Sequence, residues 1–208
     1  MTTTTPLQDR RRAVARELAR RYGVMSTENL DIFASILTEE KYPKGSLVLT
    51  EGQVCRKIYY VQRGLARQYY MKNGKELTEH LAFEGTTVMC IESLFKHQPS
   101  RLVIETLENS LLYGIPYDEL CKMANGSAEF GRFLLSILRE SLITSQVKAD
   151  TLRFESTKER YARISAEHPE IIQRVPLNIV ASYLQMSPET LSRARSAAAT
   201  AHVTEEDQ

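Results

Sequence analysis

The sequence predicts an α+β protein in which a closed antiparallel β sandwich or barrel occupies the middle of the chain and helices flank it on both sides. Three observations carry that prediction. The hydrophobic period is helical before residue 41, strand-like from Lys41 to Ile115, and helical again afterwards. Gly45, Gly52, Gly64, Gly74 and Gly85 punctuate the middle stretch at turn spacing. The longest unbroken helical pattern, Ser127 to about Leu152, begins only after the strand signals end. With 208 residues, 42% hydrophobic and 25% charged, the chain lies near the globular average, which excludes wholesale disorder.

The first helix is expected over residues 7 to 22, where Leu7, Val14 and Leu18 alternate with Arg10, Arg11, Arg12, Arg16, Arg20 and Arg21. A second runs from Ser26 to about Leu37, with Leu30, Phe33, Ile36 and Leu37 at helical spacing and Ser26 or Thr27 as its cap. Strands are expected at 47–49, 58–61, 65–70, 77–81, 102–107 and 111–115, where branched and aromatic residues cluster. Lys72-Asn73-Gly74-Lys75 is a tight hairpin turn, because Asn-Gly accepts positive φ at both central positions. Pro116 suits the first turn of a short helix that Asn125-Gly126 stops.

The following helix carries Phe130, Phe133, Leu134, Ile137, Leu138 and Leu142 as its apolar stripe. A helix of ~25 residues is nearly 40 Å long, so part of its face is expected to meet a second copy of the chain. The alternative is a helix lying along its own barrel. His168-Pro169 and Val175-Pro176 break the last helical zone.

Residues 177 to 196, LNIVASYLQMSPETLSRARS, have the pattern of a helix-turn-helix. Ile179, Val180, Tyr183 and Leu184 supply the first apolar face, and Ala181 is small where two helices must cross. Gln185-Met186-Ser187 form the turn, Ser187 is the cap, and Pro188 follows where a missing N–H is harmless. In the second helix Leu191 and Ala194 fall on one side, with Ala197 the next apolar position. Glu189, Ser192, Arg193 and Ser196 fall on the other, with Thr190 and Arg195 on the flanks.

Such an outer face fits a DNA major groove. Arg193 can reach guanine O6 and N7, and Glu189 can accept from cytosine N4. Thr190, Arg195 and the Ser187 hydroxyl at the helix start suit phosphates. Two features weigh against a simple match. Glu189 and Arg193 are also spaced for an ordinary helical ion pair, and Gln185 stands where a turn of this kind prefers glycine.

The order of parts resembles the Crp/Fnr superfamily of bacterial transcription regulators over about residues 25 to 198. The resemblance rests on Tyr42-Pro43-Lys44-Gly45 with Glu51-Gly52, on Ile58-Tyr59-Tyr60-Val61 with Gly64, and on ASYLQMSPETLSRAR at 181 to 195. HPEIIQRVP, 168 to 176, looks like members with a short C-terminus. It implies an N-terminal antiparallel β-roll (a double-stranded β-helix, cupin-like) with flanking helices, a long dimerisation helix, and a helix-turn-helix domain lacking a full wing.

The expected domains are then a basic N-terminal helix at 1–24, a cyclic-nucleotide-binding-type sensor at 25–125, a dimerisation helix at 126–152 and a DNA-binding domain at 153–208. The resemblance implies a cytoplasmic homodimer that binds double-stranded DNA through a recognition helix at 188–198, with Ser187, Glu189, Thr190, Ser192 and Arg193 facing the DNA. A small-molecule effector is a further partner, and RNA polymerase another candidate.

Members that bind cyclic AMP carry a Gly-Glu pair on the ribose and, about ten residues on, an Arg-Ser pair on the phosphate. Here Cys90-Ile91 stand nearest the first, and Ser100-Arg101 hold the second in swapped order. The expected effector is therefore something other than cyclic AMP, with Glu92, Ser100 and Arg101 as candidates for a polar pocket. No metal or cofactor is expected: Cys55, Cys90 and Cys121 are too few for an iron–sulfur cluster, and His80 and His97 are isolated. A cupin-type enzyme would need clustered histidines and a carboxylate, which the sequence does not supply. A ligand-binding module acting through protein contacts is the alternative to DNA binding.

The net charge of +1 says nothing for or against a polyanion. The arginines of the first helix fit either phosphate contacts or a solvated face on a helix packed against the barrel. The Thr-rich start carries no apolar signal-peptide core, and no apolar run approaches a membrane span. The scattered cysteines fit a reducing compartment.

Overall fold

The computed structural model describes residues 6–205, with side chains as far as Ser196. The Thr-rich start, the Ala197 side chain and the acidic side chains of the tail lie outside that description. Two compact units form, Met1–Tyr70 with His80–Ser141 and Met71–Glu79 with Leu142–Gln208.

The chain opens with α1 (Leu7–Tyr22) and α2 (Thr27–Ile36). Strands β1 (Thr38–Tyr42), β2 (Leu47–Leu49), β3 (Lys57–Arg63), β4 (Ala66–Lys72), β5 (Lys75–Ala82) and β6 (Thr87–Val88) follow, then α3 (Ile91–Lys96), β7 (Val103–Thr106) and β8 (Ser110–Pro116). Helices α4 (Tyr117–Gly126), α5 (Ala128–Phe154), α6 (Thr157–Glu167), α7 (Pro169–Arg174), α8 (Leu177–Tyr183) and α9 (Pro188–Glu205) complete it. The strands make two four-stranded sheets ordered β1-β8-β3-β6 and β2-β7-β4-β5. Neighbours with a resolved register run antiparallel, as in the β-roll expected from the sequence.

Glycine is required at two of the turns. Asn73 and Gly74 have φ of 52° and 72°, the signature of the tight hairpin that Asn-Gly favours. Gly64 has φ of 96°, and a Cβ there would stand 2.4 Å from Ser110 Oγ and 2.8 Å from its Cα.

The core of the first unit joins the helices to the roll. Val14, Leu18 and Tyr22 form the buried stripe of α1, whereas Leu7 is exposed. Phe33 and Phe133 pack with ring centroids 4.9 Å apart, and Tyr22 meets Phe133 edge-on at 6.0 Å. Phe130, Phe133 and Ile137 bury the first half of α5, but Leu135, Leu142, Ile143, Val147 and Phe154 are exposed. Leu142 therefore leaves the buried stripe that the sequence assigned to it.

Three elements escape sequence patterning: β6 has only 2 residues, and the other two are β1 and α3. The residues of β1, TEEKY, are charged, yet they pair along β8 from Thr38 opposite Gly114 to Tyr42 opposite Ser110. Their side chains are held partly by one another and partly by partners from elsewhere in the chain. Lys57 Nζ donates to Glu40 Oε1 at 2.7 Å and the Tyr42 hydroxyl to Glu40 Oε2 at 2.6 Å. The third missed element, α3, is a helix of 6 residues with too few positions to establish a period. Pro116 caps α4 rather than entering its first turn, and Gly126 ends that helix without a left-handed conformation.

The arginines of α1 are largely committed. Arg10 pairs with Glu39 at 2.8 Å, Arg12 with Asp31 at 2.7 Å and Arg21 with Glu140 at 2.5 Å. Arg16 and Arg20 remain exposed. A cavity of about 390 Å³ opens where Leu7, Gln8, Arg11 and Arg12 of α1 face Asp31, Ala34 and Ser35 of α2.

Arg10 holds the Glu39 carboxyl below its ordinary value of 4.5, against the opposing effect of burial, and the Tyr113 hydroxyl adds a bond of 2.6 Å. A carboxyl lowered in the folded state contributes stability that is complete above its unfolded pKa and is lost as the pH falls through the folded one. Urea denaturation should show the parent losing more stability than Glu39→Gln between about pH 5 and pH 3. Equal losses over that window would exclude the contribution.

Candidate nucleic-acid interface and sensor site

Helices α6 to α9 assemble around Tyr161, Ile164, Ile171, Val175, Ile179, Val180, Ala181, Leu184, Leu191 and Ala194, all buried. The chain breaks between them fall at His168-Pro169 and Val175-Pro176, where proline cannot continue a helix. Ser156 and Glu159 form a reciprocal capping box at the start of α6, each side chain bonding the other's backbone N–H.

The reversal from α8 to α9 is a Schellman-type cap. Met186 N donates to Ala181 O at 3.0 Å, and Gln185 N to Ser182 O at 3.1 Å. Gln185 carries the left-handed conformation, φ 51°, in the place where glycine is usual. Ser187 then caps α9, accepting from Thr190 N at 3.2 Å, with Pro188 as the first helical residue. Met186 is half-buried. The Arg160 guanidinium donates to Leu184 O, so a side chain of α6 satisfies a carbonyl that the turn leaves free.

On α9, Leu191 and Ala194 face inward at 1% and 7% exposure, and Glu189, Ser192, Arg193, Arg195 and Ser196 face solvent. Within this unit those outward residues form one polar edge, as the helical wheel requires. Thr190 is half-buried; its hydroxyl lies 3.1 Å from Ser187 Oγ and 3.5 Å from Arg193 Nη2. Ser196 Oγ turns back to Ser192 O at 3.1 Å.

The Ser187 hydroxyl and Glu189's own backbone N–H hold the Glu189 carboxyl below its ordinary value. Glu189 is therefore ionised at neutral pH and acts only as an acceptor. Among the described residues, the ion pairs do not include Glu189 with Arg193, although their spacing would allow one.

A second cluster braces the first helix of the motif. Ser182 Oγ donates to Glu76 O at 2.8 Å and accepts from Thr78 N at 2.9 Å. Lys148 Nζ donates to Thr78 O at 2.9 Å, bonds Glu79, and stands 4.7 Å above the Tyr183 ring. Burial lowers the Lys148 ammonium's pKa against the pull of Glu79. Neither Arg160 nor Lys148 shows any local sequence signal, since their partners lie far away in the chain.

The candidate effector residues divide. Glu92 and Arg101 approach to 3.6 Å, but both are exposed, and Glu92 also pairs with Lys96 at 2.9 Å. Ser100 is buried, and its hydroxyl is spent on its own loop: it donates to Leu102 O at 2.9 Å and accepts from Leu102 N at 3.0 Å. None of them lines the cavity between α1 and α2.

Buried polar side chains that the sequence reading passed over furnish the roll instead. Gln68 Nε2 donates to Met89 O at 3.1 Å, close to Cys90 Sγ at 3.2 Å. Arg67 pairs with Glu105, its cross-strand neighbour, at 2.6 Å and lies 4.1 Å from the Tyr69 ring centroid. Among the described residues, no group of three or more His, Cys, Asp or Glu is placed to hold a metal ion. No helix among them is long and apolar enough to cross a membrane.

Residues 39–126 match the family model of the cyclic nucleotide-binding domain. Over most of its length the chain shares its fold with solved structures of Crp/Fnr-type regulators. It is similar to FixK2 from Bradyrhizobium japonicum, at 21% identity with a TM-score of 0.68, covering 80% of this chain and 86% of that one. The c-di-GMP responsive global regulator CLP of Xanthomonas campestris shares 19% identity with a TM-score of 0.67, over 85% of this chain and 93% of its own. A protein of Eubacterium rectale assigned to the crp/fnr family shares 17% identity with a TM-score of 0.64, over 82% of both chains. Among curated proteins, none matches the sequence.

The left-handed Gln185 stores strain that glycine would release, of about 1 kcal/mol. Gln185→Gly should therefore stabilise the second unit by about that amount, and the β-branched Gln185→Val should destabilise it. Amide hydrogen exchange within α8 and α9 reads this unit alone. Unchanged protection in the glycine variant would refute the assignment.

Proposed function

We propose that this protein is a homodimeric, sequence-specific DNA-binding transcription regulator of the Crp/Fnr type. The observation that carries the proposal is the division of α9 into a buried side, Leu191 and Ala194, and a bare polar edge that carries Glu189, Ser192, Arg193 and Ser196. That edge supports a reading role for Arg193 on guanine and for ionised Glu189 on cytosine. Thr190, Arg195 and the capped start of α9 at Ser187 would contact phosphates. Ser192 and Ser196 are small enough to let the helix lie close to base edges. The reading assigns the protein no catalytic role and places it in the cytoplasm, with RNA polymerase as a candidate further partner.

The exposed apolar residues of α5, Leu135, Leu142, Ile143, Val147 and Phe154, support pairing with a second copy. Two recognition helices would then stand about one duplex turn apart, ~34 Å, on an inverted repeat. The roll would receive a small effector that shifts the population between two arrangements, binding one of them more tightly. Ser100 bonded to its own loop and Arg101 at the surface speak against cyclic AMP as that effector.

Selection of bound fragments from random DNA should enrich a palindrome. Enrichment of none would favour a module acting through protein contacts. Against the selected operator, Arg193→Ala should cost about 1–3 kcal/mol per half-site and relax preference at one base pair. Affinity equal to the parent's would show the reading edge to be misassigned. Arg195→Ala should weaken all sequences alike and reduce the slope of log affinity against log salt by about 1. An unaltered slope would remove Arg195 from the phosphate contacts.

A further inference from the structure

The interior of the β-roll holds two nucleophilic groups that DNA binding does not use. Cys55 and Cys90 are both free thiols and are wholly buried, at 0% and 1% exposure. The fold brings them together from two directions. Strands β3 and β6 pair antiparallel with Tyr59 opposite Val88, which brings the segment just before β3, with Cys55, near the segment just after β6, with Cys90. Cys55 Sγ lies 3.4 Å from Lys57 O. Independently, Cys55 N donates to Ser93 Oγ at 2.9 Å, within the first turn of α3, whose capping residue is Cys90.

The two thiols interact side chain to side chain, while Cys55 Sγ also donates to Lys57 O at 3.4 Å and Cys90 Sγ to Leu102 O at 3.9 Å. Their mutual contact pulls the Cys55 thiol's pKa down against burial, and the same contact together with burial raises that of Cys90. A second thiol in contact with the first is placed to resolve a sulfenic acid formed on it. Gln68 Nε2, 3.2 Å from Cys90 Sγ, fixes the second sulfur in place.

Residues 51–53 and 95–99 are exposed. Gly52 N donates to Ser100 O and Ser100 N to Gln53 O, each at 2.8 Å, beside the isolated bridge of Val54 with Pro99. Release of these loop bonds is the route by which peroxide would reach the thiols under the proposal below, with both sheets left intact.

We propose that Cys55 and Cys90 form a redox site, an internal dithiol that a hydroperoxide converts to a disulfide within the β-roll. The Cys55 thiolate attacks a peroxide oxygen; the S–O bond forms, the O–O bond breaks, and the leaving oxygen takes a proton. The Cys90 sulfur then attacks the resulting sulfenic acid. The S–S bond forms, the S–O bond breaks, and hydroxide departs as water with the proton from Cys90. In sum, two thiols and one hydroperoxide give a disulfide, an alcohol (water, for hydrogen peroxide) and water. This chemistry is independent of the DNA-binding reading.

The full chain carrying Cys121→Ser, so that no other thiol remains, is treated with hydrogen peroxide without denaturant. It is then unfolded in N-ethylmaleimide and mapped by mass spectrometry before and after dithiothreitol. The expected result is an intrachain Cys55–Cys90 peptide pair two hydrogens lighter than the free peptides, which dithiothreitol returns to two thiols. With Cys90→Ser added, Cys55 should stop at a sulfenic acid that dimedone traps; with Cys55→Ser, Cys90 should remain reduced. Both thiols staying alkylatable after peroxide would overturn the proposal, as would a link that forms only between chains or only in denaturant.

Discussion

The reversal between α8 and α9 constrains the C-terminal unit more tightly than any other contact. The chain must turn within a few residues while Ala181, Leu184, Leu191 and Ala194 all stay buried. Only a left-handed residue at position 185 lets the Met186 and Gln185 amides reach back to Ala181 and Ser182. Arg160 supplies the remaining acceptor's partner at Leu184. Once this corner is set, the orientation of α9 follows, and with it the exposure of Glu189, Arg193 and Arg195. The polar edge is thus a by-product of how the opposite side is packed, and glutamine is tolerated there at a modest cost in strain.

The β-roll solves a different problem, that of holding charge inside a small unit. Glu39 and Glu40 on β1 and Glu105 on β7 all sit against cations: Arg10, Lys57 and Arg67. Each pairing joins segments that are distant in the chain, so the charges act as register marks between elements as well as polar contacts. The arginines of α1 belong to the same arrangement. What reads in the sequence as a basic helix is in part a set of anchors, leaving Arg16 and Arg20 among its exposed cations.

Features set by neighbours in the chain were legible from the sequence. The Asn-Gly hairpin, the Ser26 and Ser187 caps, the proline breaks and the inward pair Leu191 and Ala194 all follow from residues within a few positions of one another. Features set by distant partners were not. Strand β1 was hidden because its charges are neutralised by Arg10 and Lys57, and α3 is too short to show a period. Arg160, Lys148 and Gln68 look like ordinary surface residues until the fold supplies the carbonyls they reach. Glu92, Ser100 and Arg101 were chosen by residue type, and residue type does not determine which way a loop side chain turns.

The second unit draws on two separate stretches of the chain, Met71–Glu79 and Leu142–Gln208. Cutting the gene at residue 142 would therefore yield an incomplete product. In such a fragment Ser182 would lose Glu76 and Thr78, and Lys148 would lose its carbonyl acceptors and Glu79 while keeping its place over the Tyr183 ring. A recombination event that traded only the tail would leave its new host without that support, so inheritance of the two stretches is tied together although dozens of codons separate them.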